Sequence, residues 1–240
     1  MKLFDVDLAD VDPGELDRGF ANFDAFFTRQ LRAGARPVAR ESRAVVSPSD
    51  GLIRDSVEID ADTRVQAKGH GYNLAELIAD EELARVFVGG TATTIYLHPR
   101  DYHRVHCPCD ALVERVTLIP GRLLPVNDAA LARTPGLFAL NERMVHTLET
   151  AHGKMVVVMI AAFGVGHMTC SYRHVEPHPR APRQVVCEPA VRMRKADELG
   201  IFHLGSTVVL ITERGVEPAV STLPAKVRMG QVILQGNGER

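Results

Sequence analysis

Three short segments of this chain carry side chains that could do chemistry together. Ser47-Pro48-Ser49-Asp50-Gly51 offers a carboxylate, the stretch from Tyr96 to His106 offers imidazoles at His98, His103 and His106, and His203-Leu204-Gly205-Ser206-Thr207 offers a hydroxyl. Each segment has an ordinary structural reading. An Asp-Gly pair is commonly a turn, a Gly-Ser pair a loop leading into a strand, and a histidine among apolar residues a satisfied core group. Together they supply the parts of a nucleophilic serine, in which an imidazole takes the hydroxyl proton and a carboxylate fixes the tautomer of that imidazole. Ser206 lacks a Gly-x-Ser-x-Gly elbow. Gly205 instead precedes it directly and the β-branched run Thr207-Val208-Val209 follows, so a bend at the glycine could bring the Ser206 hydroxyl against the preceding carbonyl.

The tetrad Leu204-Gly205-Ser206-Thr207, the segment Tyr102-His103-Arg104-Val105-His106-x-Pro108 and the turn Pro48-Ser49-Asp50-Gly51 resemble the signature set of the phosphatidylserine decarboxylases. Supporting matches are Phe23-Asp24-Ala25-Phe26-Phe27-Thr28-Arg29, Gln66-Ala67-Lys68-Gly69-His70, Phe138-x-x-Asn141-Glu142-Arg143 and Glu198-Leu199-Gly200-x-Phe202, in the family's order from Asn22 to Val209. The resemblance implies a proenzyme that cuts itself between Gly205 and Ser206 and turns the new amino-terminal Ser206 into a covalently bound pyruvoyl cofactor. Asp50 would orient His106, His106 would deprotonate Ser206, and Ser206 would attack the Gly205 carbonyl. The ketone would then take the amine of phosphatidylserine and accept the electrons released with carbon dioxide, leaving phosphatidylethanolamine. His103 would return a proton to the substrate carbon. No metal is required by this chemistry. Residues three apart in a strand face opposite sides, so shared access of His103 and His106 to one group predicts irregular backbone near His103.

Lys68, His70, Tyr72 and Arg143 are candidates to bind a phosphodiester headgroup, with ordinary surface pairing as the equal alternative. The family pattern is departed from at Lys195-Ala196-Asp197, where a glycine commonly follows the lysine, and in the short stretch ahead of Phe23.

The elements that must position these groups are mostly strands. GLIRDSVEI, TATTIYLH, ALVERVTLI, KMVVVMIAAFGVG, RQVVCEP, STVVLITE and QVILQ are rich in β-branched residues and bounded by glycine and proline. Residues 14–33 place Leu16, Phe20, Phe23, Phe27 and Leu31 at helical intervals, which predicts one amphipathic helix docking on the core. A membrane surface or a second copy of the chain in a homodimer is the alternative for its apolar face. A further helix is expected from Leu74 to Val86. The fold expected is α+β, mainly β: a single domain over residues 1–240 of mostly antiparallel sheet with peripheral N-terminal helices. Cleavage would give chains 1–205 and 206–240 that stay associated through sheet pairing and apolar contact.

Composition narrows the function classes. With 240 residues, 45% hydrophobic and 24% charged, the chain has enough apolar material for a buried core. A formal charge of -2 provides no basic field for nucleic acid. The longest apolar run, Met155 to Gly166, falls short of the roughly 20 residues that a spanning helix needs. The acidic start lacks secretory features, and Cys107, Cys109, Cys170 and Cys187 read as free thiols. A cytoplasmic protein, peripheral on the cytoplasmic side of the cell membrane, is expected, with a phospholipid as substrate. The rival readings are the same machinery acting on a soluble amino acid or other seryl phosphodiester, and a β-rich binding protein without catalysis.

Overall fold

The β-branched runs pair into one large antiparallel sheet. The computed structural model describes residues 6–67, 70–163, 167–203 and 206–237, with backbone alone for Ala67 and His70. Eight strands lie in the order Arg183–Met193, Ala111–Ile119, Arg143–Thr150, Gly153–Ala161, Ser206–Thr212, Thr91–Leu97, Gly51–Glu58 and Ala225–Val227. The central Ser206–Thr212 strand is buried at every residue, and its unbroken apolar run follows from having both faces covered.

Alternation along that strand divides the interior into two cores. Val208 and Leu210 face one with Ile95, Leu97, Val105, Met159, Ala161 and Phe202. Val209 and Ile211 face the other with Phe87, Phe138, Val156, Val158 and Ile160. Two three-stranded antiparallel sheets close the first core. One consists of Ala44–Val46, Val232–Gly236 and Val216–Pro218, and the other of Met168–Cys170, Glu198–Phe202 and Arg104–His106. Short helices cover the second core: Leu74–Ile78, Glu81–Val86, Asp128–Arg133 and Leu137–Leu140, together with the Arg64–Ala67 and His70–Asn73 pair. The mainly-β α+β architecture expected from the sequence is the one observed.

Two expectations about helices are corrected. In place of one helix over 14–33 there are two, Pro13–Arg18 and Phe23–Phe27. The first ends at Gly19, whose φ of 70° suits a residue without a side chain, and the second starts afresh where the Asn22 side chain accepts the Ala25 N–H. The Phe stripe is split accordingly: Phe26 and Phe27 are buried, whereas Phe23 is 48% exposed. The expected helix from Leu74 to Val86 also breaks in two, with Ala79 left-handed and Asp80 capping the second piece through the Leu83 N–H. The Arg143–Thr150 strand was not expected, because its histidine, threonines and glutamate mask the β pattern.

Candidate active site

Ser206 heads the central strand, paired on one side with Leu97 and on the other with Ala161. Directly opposed residues in an antiparallel pair share a face, so its side chain lies on the side of the first core. The hydroxyl is buried, and its Oγ has no hydrogen-bond partner. Such a group costs about 1–3 kcal/mol relative to a bonded one, and an orphan of this kind calls for a functional account. Leu204 and Gly205, the residues ahead of it, lie outside the described residues.

The two histidines sit on either side of a change in backbone. Asp101 closes a turn by accepting the His98 N–H at 2.8 Å, and the chain from Asp101 to His103 is irregular before the Arg104–His106 strand begins. The irregularity expected near His103 is therefore present. The His103 Nδ1–H donates to the Asp101 carbonyl at 2.9 Å, which leaves Nε2 as a lone pair. That atom is buried without a partner, and the ring packs on Phe27 with centroids 3.9 Å apart. Burial pushes the His103 pKa down to about 3, so the imidazole is neutral at physiological pH.

His106 is more fully engaged. Its Nδ1–H donates to the Ala196 carbonyl at 2.8 Å, and the Tyr102 hydroxyl donates to Nε2 at 3.1 Å. Burial lowers its pKa as well. His106 is opposite Glu198 in the ladder, while the His103 carbonyl accepts the Phe202 N–H. His103 belongs to the end from which the chain leaves toward Ser206.

Asp50 does not hold His106. Its carboxylate accepts Arg36 Nε at 2.9 and 3.1 Å and the Met229 N–H at 2.9 Å. A guanidinium fork and a backbone amide satisfy a buried carboxylate better than one imidazole does. Arg36 also donates to Asp10 at 2.7 Å, and this bond holds the Asp10 carboxyl below its ordinary range. The link from this turn to His106 is instead through the backbone, His106 N–H to Pro48 carbonyl at 2.8 Å. A cleft of about 540 Å³ opens beside Asp50, lined by Arg29, Arg36, Tyr96, Tyr102 and Lys226 among others, but not by Ser206, His103 or His106.

The candidates for headgroup binding fare differently. Arg143 is buried, and its three guanidinium nitrogens donate to the carbonyls of Leu77, Asn141 and Glu76 at 2.6 to 2.8 Å. It is paired with Ile160, on the second-core side of the sheet and so across it from Ser206. Arg143 thus braces a helix from the far side of the sheet, with each of its three nitrogens bonded to a main-chain carbonyl rather than facing Ser206. Tyr72 is likewise buried in the second core, edge-on to Phe138 at 5.6 Å. Lys68 and the side chain of His70 lie outside the described residues.

Several residues at the site gave no distinct sequence signal. Arg36 is fourteen positions from Asp50 in a segment without periodicity, and the Ala196 carbonyl is a main-chain group. The Phe27 contact was hidden in what read as a core-facing stripe. All four cysteines are free thiols, and burial pushes Cys109 up to about 12. No helix among the described residues is long and apolar enough to cross a membrane.

The chain is similar to known proteins over most of its length. A model of the phosphatidylserine decarboxylase family matches residues 23–235. The phosphatidylserine decarboxylase proenzyme of Saccharophagus degradans is 41% identical over 228 residues, spanning 90% of this chain and 78% of the relative. That of Anaeromyxobacter sp. is 41% identical over 219 residues, or 88% and 77%. The Haemophilus ducreyi proenzyme is 38% identical over 239 residues, or 96% and 80%.

Proposed function

This chain belongs to the phosphatidylserine decarboxylase family, and on that premise we propose that it converts phosphatidylserine to phosphatidylethanolamine and carbon dioxide after cutting its own backbone between Gly205 and Ser206. The observation that carries the reading is Ser206 itself: a buried hydroxyl without a partner, heading the central strand directly after a glycine. The bare Nε2 of His103 is a second orphan. Both suit a covalent group made from Ser206 and served by an imidazole.

The cleavage uses the chain's own atoms. Ser206 Oγ bonds to the Gly205 carbonyl carbon as the Gly205–Ser206 C–N bond breaks, and an imidazole relays the hydroxyl proton to the departing nitrogen. The ester is then lost by elimination. A base takes the Ser206 α-proton, the Cβ–Oγ bond breaks, and Gly205 leaves as a carboxylate holding both oxygens. Water replaces the Ser206 nitrogen, which departs as ammonia. The resulting pyruvoyl group supplies a carbonyl that takes the substrate amine and accepts the electron pair freed with carbon dioxide.

His103, with Nδ1 anchored on the Asp101 carbonyl, presents Nε2 to take up the proton released as the substrate amine condenses and to return it to the substrate carbon. His106 serves the cleavage as base once the Tyr102 hydroxyl turns away from its Nε2. Asp50 fixes the turn whose Pro48 carbonyl receives the His106 N–H. A second reading, in which His103 handles the cleavage proton too, is favoured by its open lone pair at the Ser206 end. The substrate's acyl chains hold it in a bilayer, so the enzyme works at a membrane surface; free thiols fit the reducing cytoplasmic side.

Intact mass under denaturing conditions tests the reading. Wild-type protein is expected as a chain ending at Gly205 and a shorter chain with a blocked pyruvoyl start, while Ser206→Ala stays whole and inactive. Active wild type found as a single unbroken chain would refute it. His103→Ala divides the two versions: cleavage without decarboxylation supports the split roles, and loss of both supports His103 acting alone.

A further inference from the structure

We propose that Asp24, acting through His203, is a positioning residue for the self-cleavage, holding the segment that leads into the scissile bond; the inference rests on the function proposed above. His203 is the last described residue before Ser206. Three bonds fix it. Its Nδ1–H donates to the Asp24 carboxylate, with oxygens at 2.9 and 3.1 Å. Nε2 accepts from the Thr169 hydroxyl at 3.3 Å, and the backbone N–H reaches the His167 carbonyl at 3.1 Å. Beyond the cut, Ser206 is held by strands on both sides. The reacting hydroxyl and carbonyl thus belong to a short connection pinned at each end.

Asp24 is well supported for such a task. It lies in the Phe23–Phe27 helix, capped by Asn22 accepting the Ala25 N–H at 2.8 Å. The same helix lays Phe27 against the His103 ring. Three residues apart on one short helix, Asp24 and Phe27 set the incoming segment and the imidazole relative to one another. Attack on a neighbouring carbonyl depends steeply on geometry, so freeing one end of the connection costs rate even where the fold persists. The pair is partly exposed, at 22% for the His203 side chain and 49% for Asp24, and an exposed pair of this kind adds little to overall stability.

The test follows maturation of the full chain by intact mass during a cell-free synthesis chase. Asp24→Ala is expected to slow cleavage by about tenfold, and His203→Ala similarly. Asp24→Asn keeps an oxygen acceptor for the His203 Nδ1–H and is expected to cleave within about twofold of wild type, a rescue that general loosening of the fold would not give. Once every chain is cut, the segment ends in a free carboxyl terminus, so turnover per mature site should match wild type in each Asp24 variant. Asp24→Ala cleaving at the wild-type rate, or Asp24→Asn as slow as Asp24→Ala, would overturn the inference. A wild-type chain that never cleaves would instead sink the function on which it rests.

Discussion

Residue-scale chemistry turns on imidazoles stripped of water. His103 is held near a pKa of about 3, and burial lowers His106 too. Both stay in the base form at neutral pH, and His103 does so through pH 5. An ordinary imidazole would lose half its base form near pH 6.5. With His103 as the cleavage base, self-cleavage is therefore expected to run at a constant rate from about pH 8 to 5 and to fall only below that, measured as fraction cleaved against time in buffers across the range; with His106 as the base, the midpoint lies below the ordinary imidazole value. A midpoint near 6.5 would mean that the base is hydrated. The sign for stability follows from the same displacement. The unfolded chain binds protons at these histidines below about pH 6.5 while the folded chain resists, so their contribution is intact above that pH and drains away as pH falls, for His103 down to about pH 3. Ser206, His103 and His106 could be singled out in the sequence because their residue types and order are distinctive, and the structure buries all three. The sequence did not reveal that Asp50 would be taken by Arg36, since an ion pair closed across a turn leaves no spacing to read.

At the scale of elements, positions of close backbone approach matter more than propensity. A Cβ on Gly51 would come within 2.6 Å of the Tyr96 carbonyl oxygen and 2.9 Å of the Ile95 side chain. Gly51 follows Asp50 and begins a strand, so a shift there moves the carboxylate and the Pro48 carbonyl together. Gly51→Ala is expected to cost about 1–3 kcal/mol, read as a melting temperature several degrees lower, and to slow cleavage as well. An unchanged melting temperature would show that the strands can separate freely. Strands such as Ala111–Ile119 were legible to the residue because β-branched runs ended at turn formers. The helices were legible as apolar periodicity but not as pieces. A pattern continues across Gly19 and Ala79 even where the backbone turns left-handed or caps begin anew.

On the scale of the whole molecule, residues 206–237 are woven through the rest rather than appended to it. Ser206–Thr212 fills the middle of the large sheet, Ala225–Val227 pairs with Gly51–Glu58, and Val232–Gly236 lies between Ala44–Val46 and Val216–Pro218. The two products are thus expected to travel as one particle in native mass spectrometry and to part only in denaturant. A free small chain under native conditions would contradict that pairing. None of this order could be read from the sequence, because strands far apart in the chain meet through cores that periodicity alone does not distinguish.

The setting of Ser206 between Leu97 and Ala161 also bears on why the proposed maturation would discard its nitrogen. Simple hydrolysis of the preceding bond would leave an ammonium ion inside an oily wall, and an unpaired buried cation costs several kcal/mol. Shedding that nitrogen as ammonia, as proposed, would leave an uncharged acyl end in its place, so the product that the proposed reaction needs would also be the terminus that the interior tolerates.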